Sequence, residues 1–138
     1  MAYLVLSEKR QALTRRMQML GLGIERIGEL AVVECKGRIV SSETTFKLRG
    51  AVTSLEDSRV VVLDLSEVSA IDGSGLGILL FLERWAFVHE IQFKLFHPTK
   101  SVRERLELVS SIRPFDIAAP QEMIALLANA DSHLALAA

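Results

Sequence analysis

The stretch that most constrains this chain spans residues 60–90. Residues 60–65 read Val-Val-Val-Leu-Asp-Leu, a nearly unbroken aliphatic run without polar alternation. A strand of that kind is buried on both faces, as in a parallel sheet with helices packed against it. A polar turn follows, then Asp72-Gly73-Ser74-Gly75, then an apolar helix to about Glu90. Strand, turn and helix in that order form the repeating unit of α/β folds.

The rest of the chain fits that unit. Residues 24–27 and 30–36 read as two strands of a hairpin turning at Gly28-Glu29, with Gly37 ending the second. Ser41 or Ser42 then caps a helix to about Leu55, with Leu48, Val52 and Leu55 facing inward. Residues 91–96 form a strand stopped by His97-Pro98. Residues 101–109 form a helix with Val102, Leu106 and Val109 at helical spacing. Residues 115–117 suit a short strand, and Pro120 suits the first turn of a last helix. The predicted fold is α/β: a mostly parallel four- to five-stranded sheet with an N-terminal hairpin strand and about four helices. It occupies residues 21–130, with an N-terminal arm over 1–20 and a frayed tail over 131–138.

The arm carries Lys9, Arg10, Arg15 and Arg16 against Glu8, with Leu13, Met17 and Leu20 spaced for one helical face. It reads as an amphipathic helix for a partner or membrane surface, or as an extension ahead of a start at Met17 or Met19.

With 138 residues, half of them hydrophobic, the chain can bury a core of its own. A net charge of −1 gives no basic surplus for nucleic acid. Cys35 is the single cysteine, which rules out an intrachain disulfide and reads as a small buried apolar residue. The most apolar run, residues 76–82, is broken by Glu83 and Arg84 and is too short to span a bilayer. No charge-first leader precedes it, so a cytoplasmic location is expected.

On the residues alone, Ser74 reads as the N-cap of its helix, with Gly73 and Gly75 shaping a tight turn. A dinucleotide loop fails because Ile78 stands where GxGxxG needs glycine. A P-loop fails for want of Gly-Lys-Ser/Thr. A GxSxG elbow fails at Asp72 and Leu76. Asp72 and Ser74 lack a histidine to complete a triad. His89, His97 and His133 have no metal-ligand spacing. No catalytic residue, metal or cofactor is therefore expected. In the helix after Ser74, the apolar residues exceed one core-facing stripe. Leu79 and Leu80 are assigned to the core, and Phe81 and Trp85, four apart, to a partner or homodimer contact. Arg103, Glu104, Arg105 and Glu107 read as a solvated face.

The string Asp64-Leu65-Ser66-x-Val68 followed by Ile71-Asp72-x-Ser74-Gly75-Leu76-Gly77 resembles the signature of the STAS family, which includes the anti-sigma factor antagonists. Val32-Val33-Glu34 with Gly37-Arg38-Ile39, and Leu95-Phe96-His97-Pro98 with Val102 and Leu106, resemble further family segments. The resemblance covers about residues 22–130. It implies a bacterial transcription regulator that is a phosphoprotein and works by partner switching. The unphosphorylated form binds an anti-sigma factor that is a serine kinase, phosphorylation at Ser74 releases it, and a serine phosphatase restores it. Asp72, Gly73 and Gly75 would form the motif loop, and Leu76, Phe81 and Trp85 would meet the partner. The sequence departs from the pattern at Gly73, where many antagonists have a second serine, and at Val40 and His97. The alternative is a phosphorylation-independent module of the same fold, a stressosome scaffold or a subunit of a lipid-transport complex, in which Ser74 is only a cap.

Overall fold

The computed structural model describes residues 7–10, 19–110 and 114–137. Five strands, β1 (Leu20–Ile27), β2 (Leu30–Ile39), β3 (Val60–Ile71), β4 (Gln92–Phe96) and β5 (Ile117–Ala118), lie in the order β1-β2-β3-β4-β5. β1 and β2 form the antiparallel hairpin, and every later pairing is parallel. Among the described residues, the helices after the hairpin are α1 (Ser41–Thr53), α2 (Gly73–Val88), α3 (Lys100–Val109) and α4 (Pro120–Ala137), and residues 7–10 are helical as well. The mixed sheet, the hairpin and the helix count all agree with the sequence reading. Leu13 and Met17, assigned to a helical stripe in the arm, lie outside the described residues. Leu20, assigned to the same stripe, is instead the buried first residue of β1.

Successive side chains of a strand point to opposite faces, and the buried residues sort accordingly. Ala31, Val33 and Cys35 of β2, Val61, Leu63 and Leu65 of β3, and Phe93 and Leu95 of β4 join one core. α1, α2 and α3 close that core through Leu48, Val52, Leu79, Leu82, Val102 and Leu106. The intervening residues Leu30, Val32 and Val62 form a smaller core with Met123 of α4. Cys35 is buried, and its thiol is pushed up to about 12 by desolvation, with Asp64 adding to the effect.

Four local readings are corrected. Gly37 does not end β2. It adopts φ +114 inside the strand, where the register with β3 shifts, and β2 continues to Ile39. β3 does not turn after Leu65 but runs to Ile71, pairing with β2 throughout. β4 pairs with β3 only as far as Asp64–Phe96. Beyond that, hydroxyls at the start of α3 take over the open edge: Thr99 Oγ1 donates to Val68 O at 3.0 Å and Ser101 Oγ to Ser69 O at 3.2 Å. Finally, neither Ser41 nor Ser42 caps α1. The N-cap is Val40, without a side-chain cap bond, and Ser41 is the first helical residue at φ 78. In the last segment, residues 131–137, read as tail, continue α4.

Candidate functional site

β3 delivers its buried end, Ile71, to the start of α2. Asp72 follows in extended conformation and is the N-cap: its Oδ1 accepts from the Gly75 N–H at 2.9 Å. A carboxylate in that place satisfies a free amide and meets the positive end of the helix dipole. Ser74 is therefore not the cap but the second residue of the helix, and its side chain is exposed. Its hydroxyl donates to the same Asp72 Oδ1 at 2.6 Å. That hydrogen bond is the main reason the Asp72 carboxyl lies below its ordinary value. Partial burial opposes it, and the backbone N–H groups of Gly75, Ser41 and Ser74 assist. The charge on Asp72 thus gathers donors from the first turns of both α1 and α2.

The two glycines beside Ser74 differ. A Cβ on Gly73 would meet nothing within 4 Å, whereas one on Gly75 would lie 2.3 Å from Ile39 O and 2.5 Å from Ile71 Cγ1. Gly75 lets α2 start against the end of β2, and Gly73 leaves the Ser74 hydroxyl unscreened. The sequence reading gave both the same task, shaping a tight turn. The close approach at Gly75 depends on β2 reaching Ile39, a residue far away in the chain.

Of the residues assigned to partner contact, Phe81 is 41% exposed, Leu76 is buried, and Trp85 is half-buried against the core. Trp85 stacks on His89 at 4.8 Å between ring centroids, and His89 Nδ1 lies 2.8 Å from Trp85 O. Leu79 is fully buried, while Leu80 is only partly so. On α1 and α2, the exposed large apolar residues that the sequence reading did not single out as contacts are Phe46 and, at the end of α2, Phe87 and Val88; others, such as Leu108 and Ile124, lie elsewhere. Helical spacing from Phe81 would have flagged Val88, but nothing local distinguishes Phe46 from a core residue.

Among the described residues no group of three or more His, Cys, Asp or Glu is placed to hold a metal, and no helix is long and apolar enough to cross a membrane.

A mixed sheet flanked by helices defines a small α/β domain, and one exposed serine is bonded to the aspartate that caps its helix. The chain belongs to the STAS domain family, whose profile matches residues 22–117. Its fold is that of solved anti-sigma factor antagonists at low identity. SpoIIAA in its unphosphorylated form is 18% identical with a TM-score of 0.65, over 79% of this chain and 97% of that one. An anti-sigma factor antagonist from Mycobacterium paratuberculosis is 18% identical with a TM-score of 0.66, over 80% and 95%. The Bacillus cell fate determinant SpoIIAA in its phosphorylated form is 18% identical with a TM-score of 0.61, over 78% and 99%. No curated protein matches the chain.

Proposed function

We infer that this protein is an anti-sigma factor antagonist acting in the bacterial cytoplasm. In its unphosphorylated form it binds an anti-sigma factor that is itself a serine kinase. Phosphorylation of Ser74 releases it, and a serine phosphatase resets it. The observation that carries this reading is the exposed Ser74 hydroxyl held 2.6 Å from Asp72 Oδ1. Transfer of a phosphoryl group replaces the hydroxyl proton, so the donor of that bond is lost. About −1.5 to −2 charges then sit beside an ionised carboxylate. A chemically small event thereby rearranges the surface at the start of α2.

Two further points support the reading. Asp72 rather than Ser74 is the N-cap of α2, which leaves the Ser74 hydroxyl exposed beside it. SpoIIAA, which shares the fold, has been solved both with and without phosphate.

The test is phosphopeptide mapping of the protein isolated from its own cells. Phosphate on Ser74, absent from the Ser74→Ala variant, is expected. Phosphate at another residue only, or none under any growth condition, would sink the switch and favour the constitutive module.

A further inference from the structure

α1 and α2 lie side by side. Across the seam between them the Arg49 guanidinium stacks over the Phe81 ring, 4.6 Å from its centroid. Phe46, one turn before Arg49 on α1, is 74% exposed. On α2, residues 74, 77, 81, 84 and 88 follow the three-and-four spacing of one helical face, and all five are exposed. Ser74 therefore heads a stripe that runs through Gly77, Phe81 and Arg84 to Val88, with Phe46 and Arg49 beside it.

Charges of both signs line this ridge. Lys47, Arg49 and Arg84 are its cations. Its acids are Glu43, near the start of α1, Asp72 beside Ser74 and the half-buried Glu83. Lys47 donates to Leu20 O at 2.7 Å. Neither Arg49 nor Arg84 has a carboxylate at salt-bridge distance among the described residues. Exposed contiguous apolar patches mark interaction sites, and aromatic residues and arginines are the side chains most enriched among binding anchors. A guanidinium already stacked on a ring also presents its donors with less ordering left to do.

We propose that the α1–α2 ridge docks a protein partner whose facing surface is apolar at its centre and carries carboxylates around it, with Phe81 as the anchor and Arg49 and Arg84 meeting the carboxylates. This rests on the Ser74 reading and adds the chemistry of the partner to it. Seven residues of helix separate Ser74 from Phe81, roughly 10 Å, about one screening length at physiological salt. A phosphate on Ser74 therefore opposes the carboxylates that face Phe81 and the Arg49 stacked on it, and one surface accounts for both docking and release.

The probe is the protein retained by the full-length wild-type and Ser74→Ala chains and released by Ser74→Glu, purified and titrated against each variant. Phe81→Ala and the double variant Arg49→Glu/Arg84→Glu change exposed side chains, and circular dichroism checks their folding. Each is expected to bind about tenfold more weakly or worse, and wild-type affinity is expected to fall as salt rises. The charge-matched control Arg103→Glu/Arg105→Glu, on the exposed face of α3, is expected to bind like wild type. Wild-type affinity in both ridge variants, with the partner still lost from Ser74→Glu, overturns the ridge and leaves the switch standing. Equal weakening in the α3 control also overturns it. The absence of any Ser74→Glu-sensitive partner overturns both. Co-sedimentation of the wild type, but not the double arginine variant, with anionic phospholipid vesicles would reassign the ridge to a membrane and overturn the protein partner.

Discussion

The carbonyl oxygen of Ile39 occupies the place where a side chain on Gly75 would go: a Cβ there would lie only 2.3 Å away. The end of β2 and the first turn of α2 are thus fitted to each other at a glycine one residue from the presented serine. Backbone against backbone leaves no flexible group to yield.

Gly75→Ala is therefore expected to destabilise the fold by about 1–3 kcal/mol, the usual cost of forced overpacking. Gly77, two residues on, has nothing within 4 Å of a built Cβ. Gly77→Ala is expected to be stabilising by up to about 1 kcal/mol, because alanine is the better helix former. Urea unfolding of the two variants beside wild type checks the contrast.

Asp72 holds the first turn of α2 through Gly75 and accepts from Ser74, and its carboxyl is lowered from 3.8 chiefly by the Ser74 hydrogen bond. A carboxyl lowered on folding contributes stability that is present above its unfolded value and lost as pH falls through its folded value. Asp72→Ala is expected to cost about 1 kcal/mol near neutral pH, the ordinary loss of a cap. The gap to wild type should close as pH drops below 3.8. A gap independent of pH across that range would mean that the charge on Asp72 does not matter.

Lys94 ties together three elements on the α4 side of the sheet. Its Nζ lies 2.7 Å from Asp116 Oδ2 and 3.0 Å from Glu122 Oε2, with the side chain 12% exposed. Burial works against its charge, but the hydrogen bonds and attraction of the two carboxylates outweigh it and raise its pKa above 10.5. Lys94→Met leaves two acids facing each other without a cation and is expected to cost about 1–3 kcal/mol. A lysine raised on folding contributes fully below its unfolded value and loses that contribution only as pH rises through the folded one. The difference from wild type should hold from neutral pH to 10.5 and shrink above it. Thermal unfolding in a pH series checks both the size and the window.

Much of the fold was legible because its strongest signals are local. The aliphatic run at residues 60–65, the Gly28-Glu29 turn and Pro120 at the start of α4 each state their role in a few residues. The errors arose where distant partners decide. Ser66, Glu67 and Ser69 look like a turn but are exposed strand positions. The edge of β3 there faces hydroxyls from α3 rather than another strand. Gly37 looks like a terminator, yet its positive φ accommodates a register shift within β2.

The candidate site divides in the same way. The motif singled out Ser74 and Asp72, which the structure joins by a hydrogen bond, but read alone it assigned the capping role to the wrong residue of the pair. Competition between a serine hydroxyl and an aspartate carboxylate for the same amides is settled by geometry that the string does not contain. The stack of Arg49 on Phe81 was equally invisible, since it depends on how α1 and α2 pack.

The most direct test of the central claim is affinity capture from the native cell lysate with three baits: wild type, Ser74→Ala and Ser74→Glu. Bound proteins are identified by mass spectrometry. A serine-kinase-like protein held by the first two baits and lost from the third is the result expected of a switch at Ser74. The same partners on all three baits would contradict it.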